Sequence, residues 1–325
     1  MKYFIACSPI LSELAWEIES FLVRHFEYGN YSFRSALRGW YGESLKSVFY
    51  VAKSGGMIVG AAGGLYSRFS PVFGVLGPVC VEVDYRRSGI GGELVELLLE
   101  HLYCAGCRAV YLGVSGNEEA VKFYKGIGFE KYRGIVMRKL LCSEAEFMEN
   151  FRRTDKLKIR RMGWGDFASV SVLMTEPSVM YSFDFQEGIF SSRYFEPERF
   201  LGVFPKMMES FKRDGGFGNL LLAEERRVVV GIAHIRSGKS RAQSHLGVFD
   251  FFVHDNFLDT GQELARRTIE QSGGLSISSI VCYCPCSDSI KKEVLVSLGF
   301  KKCARIEGFL RVGEGFSGVD VYRHW

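Results

Sequence analysis

The sequence predicts an α/β protein made of two copies of one fold, each built on a mixed β-sheet. The chain of 325 residues is long enough for two domains. Strand-length apolar segments alternate with helical patterns, and their order in the first half recurs in the second half. We therefore expect an N-terminal domain at residues 1–142, a linker at 143–156 and a C-terminal domain at 157–325.

The composition is that of a folded protein, with 47% apolar and 14% aromatic residues. The formal net charge of +4 is small for this length, and we expect no nucleic-acid partner because such proteins carry a concentrated basic patch. No apolar run is long enough to cross a membrane, and the first residues resemble a strand rather than a signal peptide. Nine cysteines, an odd number, favour reduced thiols. These features predict a cytoplasmic protein.

The predicted elements of the first half begin with two strands at residues 48–52 and 57–61, joined by a turn that contains two glycines. A third strand covers residues 79–83, and a helix follows from Leu94, because its apolar residues recur at helical spacing. The apolar face of this helix is formed by Leu94, Val95, Leu98 and Leu102.

The next predicted elements are a strand at residues 109–114 and a second helix. Asn117 is a favoured N-cap for that helix, and the two residues after it place carboxylates in the first turn. A Gly-Phe pair at residues 128–129 ends the helix, and residues 132–141 are predicted to form one final strand.

Between the strand at residues 79–83 and its helix, residues 86–91 read Arg-Arg-Ser-Gly-Ile-Gly. Glycines let backbone N–H groups approach an anion, and the first turn of the helix directs its unpaired donors and its positive dipole end to the same point. The sequence is not a P-loop, and it lacks the first glycine of the dinucleotide-binding fingerprint. Taken alone, the turn is equally consistent with an ordinary strand-to-helix connection.

The whole succession resembles the core of the GCN5-related N-acetyltransferases (GNAT). It contains a strand, Arg-x-x-Gly-x-Gly, a helix, a strand, an Asn-capped helix with a tyrosine, and a Gly-Phe pair before a last strand. The resemblance covers residues 1–141. It implies the acyl-CoA N-acyltransferase fold and the cofactor acetyl-CoA. It also implies that the glycine turn binds the pyrophosphate of coenzyme A, and that the pantetheine arm lies between two central strands that diverge.

The resemblance implies these cofactor-binding residues: Val81, Val83, Arg86, Arg87, Ser88, Gly89, Ile90, Gly91, Gly92 and Asn117. Backbone groups of Val81 and Val83 would pair with the pantetheine arm, and the amides of residues 87–92 would hold the pyrophosphate. Tyr124 matches the general acid that protonates the thiolate of coenzyme A. The alternatives are a core tyrosine at position 124 and a simple helix cap at Asn117. No metal is predicted in this site.

Direct transfer to an amine requires a base, because a lysine-like amine is mostly protonated at neutral pH. Glu82 and His25 are both candidates, and the sequence does not choose between them. Acceptor recognition falls to an aromatic link between two predicted helices at residues 12–45, and to an aromatic and acidic stretch at residues 181–204. Such side chains suit a cationic amine. They also suit a packed insertion, which is the interpretation we prefer.

The second half keeps the order of elements and changes the residues of the site. Leu264 aligns with Leu94 and Phe300 with Phe129. On this alignment the positions of Arg86, Gly89, Asn117 and Tyr124 are taken by Asn256, Asp259, Asp288 and Leu295. A carboxylate repels a pyrophosphate, and a leucine donates no proton, so we expect no productive coenzyme A binding there. Because Gly261 remains, binding in a modified way is the alternative.

The sequence thus predicts an acetyl-CoA-dependent N-acetyltransferase. Its N-terminal domain would acetylate a primary amine, a small molecule in preference to a peptide or protein. The C-terminal domain would wall the acceptor cleft or stand in for a dimer partner, and both a monomer and a homodimer fit. The alternatives are a non-catalytic coenzyme A sensor or scaffold, and a transferase of a longer acyl group. Cys282, Cys284 and Cys286 fit small buried side chains better than a zinc site.

Overall fold

A computed structural model describes residues 1–325 apart from 27–35, 115, 155, 184–188, 191–203, 205–207, 209–218, 238–240, 275 and 313. The chain forms two compact units. Unit 1 comprises Met1–Asn150, Gly163–Val172 and Glu196–Pro205. Unit 2 comprises Phe151–Met162, Leu173–Phe195 and Lys206–Trp325.

Unit 1 is built on a mixed sheet. Its described strands are β1 (Lys2–Cys7), β2 (Leu45–Ser54), β3 (Met57–Ser67), β4 (Phe73–Val81), β5 (Ala109–Gly113), β6 (Glu130–Arg133) and β7 (Val136–Leu140). They lie in the order β1-β2-β3-β4-β5-β7-β6. β4 and β5 run parallel, and the other described neighbours are antiparallel. The predicted strands at residues 48–52, 57–61 and 109–114 are therefore confirmed.

Helices cover both faces of this sheet. The helix α1 (Ser12–His25) packs against one face, and α2 (Ile90–Ala105) and α3 (Glu118–Gly126) pack against the other. Neighbouring residues of β2 show the alternation, because Val48 joins the cluster around α2 and Phe49 joins the cluster around α1. The predicted apolar face of α2 is buried, which confirms that helix.

The prediction of one final strand at residues 132–141 is wrong. The chain forms β6 and β7 instead, which pair with each other as an antiparallel hairpin. Gly134 lies between them with a φ of +55°. Most residues avoid this conformation and glycine adopts it readily, so the chain reverses here rather than continuing as one strand.

A further helix, α4 (Glu144–Glu149), lies within the segment predicted as a linker. Ser143 and Glu146 form a capping box at its start, in which the serine hydroxyl accepts from the Glu146 N–H and the glutamate accepts from the Ser143 N–H. Phe147 is fully buried, and its ring lies 6.0 Å from that of Phe73. This buried ring ties α4 to the sheet of unit 1.

Unit 2 contains most of the remaining elements. The described strands after unit 1 are β8 (Lys158–Arg161), β9 (Ser182–Phe183), β10 (Ile189–Phe190), β11 (Asn219–Glu225), β12 (Val228–Ser237), β13 (Leu246–Val253), β14 (Ser279–Pro285), β15 (Lys301–Val312) and β16 (Gly315–His324). The described helices in this part of the chain are α5 (Phe167–Thr175), α6 (Thr260–Glu270) and α7 (Ser289–Ser297). β9 and β10 pair as a separate two-stranded ladder.

The large sheet of unit 2 has the same strand order as that of unit 1. Read from its first strand, the order is β8-β11-β12-β13-β14-β16-β15. The parallel pair, β13 and β14, occupies the position of β4 and β5. Both units thus have the predicted α/β class with a mixed sheet, and the shared order fits two tandem copies of one fold. Among the described residues, no helix combines the length and apolar character that a membrane crossing needs.

Candidate active site

The cleft of unit 1 lies where β4 and β5 separate. Their parallel ladder ends at Val75 and Tyr111. β4 continues to Val81 beside β3, and β5 continues to Gly113 beside β7. The two strands therefore diverge toward their carboxyl ends, and backbone groups on the inner edge of β4 face a gap that an extended ligand could fill.

The predicted glycine turn connects the end of β4 to α2. After a 3₁₀ helix at Val83–Tyr85, the chain passes through Arg87 with a φ of +61° and Gly89 with a φ of +87°. A positive φ is costly for residues with a side chain, so Gly89 suits its place. Among the described atoms, none lies within 4 Å of the point where a β-carbon at Gly89 would be. A side chain at position 89 would therefore enter open space at the start of α2.

Two side chains of this turn are engaged within the protein. Arg86 Nε donates to the carbonyl of Val81 at 3.1 Å, and Ser88 Oγ donates to the carbonyl of Tyr85 at 2.6 Å. These bonds hold the turn in shape. The bond from Arg86 also engages the carbonyl of Val81 as an acceptor.

Tyr124 lies on α3 and packs against other aromatic rings. Its ring meets Phe123 edge-on at 5.0 Å and Phe129 at 5.7 Å between centroids. Burial, with a smaller contribution from the thiol of Cys80, raises the pKa of Tyr124 well above its ordinary value. The phenol therefore holds its proton at neutral pH, the state that a general acid needs.

Asn117 caps α3, as predicted. Its Oδ1 accepts from the backbone N–H of Ala120 at 3.0 Å. The cap uses only the oxygen of the side chain, so the NH₂ group still can donate to a ligand.

A cavity of about 480 Å³ opens beside the start of α3. Its walls include Asn117 together with Lys122, Lys125 and Lys131. Sequence reasoning did not single out these lysines, because they come from α3 and β6 and meet only in the folded unit. They give the cavity a positive rim.

Glu82, His25 and Arg24 form a charged cluster beside the end of β4. Glu82 Oε1 lies 3.2 Å from Arg24 Nη2 and 3.4 Å from His25 Nε2. Partial desolvation raises the pKa of the Glu82 carboxyl, but Arg24 and His25 outweigh it, so this pKa lies below its ordinary value. The cluster brings together the two base candidates that the sequence left as alternatives.

The cluster and Tyr124 approach the sheet from opposite faces. Cys80 packs with the apolar residues around α1, whereas Val79 and Val81 pack with α2 and Tyr124. Because side chains alternate along a strand and its direct continuation, Glu82 lies on the same side as Cys80. A ligand that lay in the gap beside β4 would have a proton donor on one side and a carboxylate on the other.

The residues of unit 2 that align with Gly89, Arg86 and Tyr124 make contacts within unit 2. Asp259 forms an ion pair with Arg153, and Asn256 Nδ2 donates to the carbonyl of Phe151 at 3.1 Å. Leu295 is fully buried. These side chains make structural contacts where unit 1 carries its glycine turn and its tyrosine.

Much of the predicted acceptor region lies outside the described residues. This applies to residues 27–35 of the first aromatic stretch, and to residues 184–188 and 191–203 of the second. His25 lies just before the first of these segments, on α1.

Comparison with known proteins identifies the fold of unit 1. Residues 11–129 match the Acetyltransferase (GNAT) family. The chain is also 35% identical over 65 residues to "Uncharacterized N-acetyltransferase YjhQ" of Escherichia coli K12, a match that covers 20% of this chain and 33% of that protein. The chain thus spans about a third of the length of this curated relative.

Solved structures give weaker likenesses. One is yncA of Salmonella typhimurium, solved with its cofactor acetyl-CoA, at 17% identity and a TM-score of 0.43 over 52% of this chain and 94% of that chain. Another is a ribosomal-protein-alanine N-acetyltransferase of Brucella melitensis, at 16% identity and a TM-score of 0.43 over 51% of this chain and 98% of that chain.

Residues 11–129 of unit 1 therefore match the acetyltransferase family that the sequence predicted. The proteins of this family are acyltransferases that use acetyl-CoA, so the predicted enzyme class and cofactor agree with the match. The turn at residues 86–91, Asn117 and Tyr124 all fall inside the matched range.

Proposed function

We propose that unit 1 transfers an acetyl group from acetyl-CoA to a primary amine. The observation that carries this proposal is the convergence of three features at one cleft. Two central strands diverge, a glycine turn presents helix N–H groups at the mouth, and Tyr124 lies on the helix that follows β5. Together with the family match, these features support a cofactor site and an acid in one place.

We infer that the cofactor binds along β4. Backbone N–H groups of residues 87–92 would hold the pyrophosphate, because the first N–H groups of α2 have no partner within the helix and lie at the positive end of its dipole. Val81 and Val83 would meet the pantetheine arm, Val83 from the 3₁₀ helix just beyond the strand. Asn117 would donate its side-chain NH₂ group to the same arm.

Transfer is direct in this proposal. The neutral amine attacks the thioester carbonyl, which forms a tetrahedral intermediate, and the intermediate collapses as the C–S bond breaks. Tyr124 gives its proton to the departing sulfur, so coenzyme A leaves as the thiol. The phenol is protonated at neutral pH, the state from which it can donate.

We assign removal of the amine proton to the pair of Glu82 and His25. Glu82 is ionised at neutral pH, and its Oε1 lies 3.4 Å from His25 Nε2, so the two groups are placed to share the proton taken from the amine. Arg24 holds the carboxylate in place. As acceptor we favour a small-molecule amine over a peptide or protein amine.

The test measures the release of free thiol from acetyl-CoA with a panel of amines, using wild type and Tyr124→Phe. We expect the variant to lose about 10²–10⁴-fold in kcat, while its affinity for acetyl-CoA is unchanged. Tyr66→Phe is the matched control, because Tyr66 is also half-buried and its hydroxyl lies 3.3 Å from His101 Nε2, outside the cleft.

Binding of acetyl-CoA without turnover on any amine would contradict the proposal and favour a coenzyme A sensor. Turnover only with longer acyl thioesters would instead favour a different acyltransferase.

A further inference from the structure

Unit 2 has a cleft between diverging strands, as unit 1 does. In unit 2, however, a segment of the same unit lies against this cleft. We propose that residues 178–181 take the place in unit 2 that unit 1 offers to the pantetheine arm of its cofactor. The comparison rests on the proposed function of unit 1. Unit 2 is then a GNAT-like fold whose cleft holds a permanent peptide occupant.

The strands that frame this cleft diverge as they do in unit 1. The parallel ladder of β13 and β14 ends at Val248 and Val281. β13 continues to Val253 beside β12, and β14 continues to Pro285 beside β16. A gap therefore opens between the carboxyl ends of β13 and β14.

One end of the segment is fixed at the carboxyl end of β13. Ser178 Oγ donates to Asp255 Oδ1 at 2.8 Å, and the N–H of Val179 donates to the same oxygen at 3.0 Å. Asp255 opens the 3₁₀ helix that follows β13, the counterpart of Val83–Tyr85 in unit 1. β9, which follows the segment, packs beside β13.

The other end is fixed by α7, across the gap. The N–H of Tyr181 donates to Asp288 Oδ2 at 2.9 Å. Asp288 is the N-cap of α7 and takes the position of Asn117, the residue that would hold the cofactor arm in unit 1. The N–H of Tyr181 is therefore bound by Asp288, which aligns with Asn117, the residue proposed to hold the cofactor arm in unit 1.

Lys291 completes the hold on the segment. Its Nζ donates to the carbonyl of Tyr181 and to Asp250 Oδ1, and neither Lys291 nor Asp250 is more than 1% exposed. Burial alone lowers the pKa of Lys291, but Asp250 and Asp288 outweigh it and raise this pKa above its ordinary value. The buried ammonium stays charged and keeps its hydrogen bonds.

Three of the four residues of the segment are buried, and Val179 is 43% exposed. Met180 is fully buried, Tyr181 is 2% exposed and Ser178 is 6% exposed. The segment presents peptide N–H and C=O groups to the cleft, and pantetheine likewise carries two amides, so a peptide can satisfy the same cleft. This occupant gives a reason why unit 2 has kept the fold without the glycine turn or the tyrosine.

Hydrogen exchange on the full chain, read by mass spectrometry with and without saturating acetyl-CoA, tests the proposal. The peptide that covers residues 178–181 should be protected in the absence of ligand, and acetyl-CoA should leave it unchanged. Residues 86–92 of unit 1 should gain protection. Asp255→Ala should speed exchange at residues 179–181 at least tenfold, whereas Glu293→Ala, an exposed carboxylate on α7, should not.

Rapid exchange at residues 178–181 in wild type would overturn the proposal. So would a change in their exchange when acetyl-CoA is added to Gly89→Glu, a chain in which the turn of unit 1 is blocked. Failure of the proposed function looks different, because residues 86–92 would then gain no protection while residues 178–181 remained protected.

Discussion

At the scale of single residues, the contact between Glu82 and His25 is the feature with the most chemical consequence. One residue follows a strand and the other ends a helix, yet Oε1 and Nε2 lie 3.4 Å apart. Each is an unremarkable side chain in the sequence. Only the packing of α1 on the sheet brings them to the same end of β4.

If this pair removes the amine proton, Glu82→Gln should lower kcat/KM for the amine about 10²–10⁴-fold near pH 7. The loss should shrink toward pH 9, because more of the amine is then already neutral. In wild type, Arg24 and His25 hold the pKa of Glu82 below its ordinary value, so the carboxylate is ionised at neutral pH and into the acid range. Arg24→Met should raise this pKa and move the acid limb of the profile to higher pH.

The measurement is the pH profile of kcat/KM for each variant. Glu17→Gln is the control, since Glu17 is a carboxylate on α1 that pairs with Lys53 at 2.7 Å. A loss in Glu82→Gln that is the same at every pH would mean that Glu82 supports structure and that the base lies elsewhere.

At the scale of elements, the start of α3 combines a helix cap with a proposed ligand contact. Asn117→Ala removes both and should cost about 1 kcal/mol of stability. Asn117→Asp keeps the cap, because aspartate is an equally good N-cap, but it replaces the NH₂ donor by a second oxygen. We expect Asn117→Asp to keep its melting temperature and to bind acetyl-CoA less tightly.

Thermal unfolding and acetyl-CoA titration of both variants separate the two roles. If Asn117→Asp binds as tightly as wild type, Asn117 is a cap alone. Ser143→Ala provides a comparison, since it removes another helix cap outside the cleft.

Most elements follow from local pattern, and the exceptions have physical causes. α2 could be predicted because its apolar residues recur at helical spacing and glycines bound it at both ends. The hairpin of β6 and β7 was missed because a single glycine, Gly134, reverses a stretch that otherwise reads as continuous strand. The helix α4 was missed because three of its six residues are glutamates, and its one buried ring, Phe147, gives no periodic signal.

Some residues of the candidate site could also be predicted from local pattern, and others could not. The glycine turn, Asn117 and Tyr124 could be chosen from spacing along the chain. The contact of Glu82 with His25 and the cavity rimmed by lysines depend on tertiary packing, which local patterns do not encode.

At the scale of the whole molecule, the two sheets share one strand order but differ in what lies at the gap between the parallel strands. The sheets of both units place a parallel pair at the same position, and in both the ladder stops before the strands do. In unit 1 the mouth of the gap carries an open glycine turn. In unit 2 residues 178–181 are hydrogen-bonded at the corresponding place. Alignment of the two halves predicted that the second half binds no coenzyme A productively, and it gave no sign of the segment at residues 178–181.

The most direct test of this account is a calorimetric titration of the full chain with acetyl-CoA. Gly89→Glu and Gly56→Glu are the matched pair of variants. Both glycines have a similar positive φ, +87° and +85°, and a β-carbon at either would meet no described atom within 4 Å. The added charge is therefore the same and the φ is similar in both variants, which differ in their position relative to the cleft.

The account predicts one site per chain in wild type and in Gly56→Glu, and no binding to Gly89→Glu. Two sites in wild type, or one that survives in Gly89→Glu, would contradict it, because a second cleft would then be open to the cofactor.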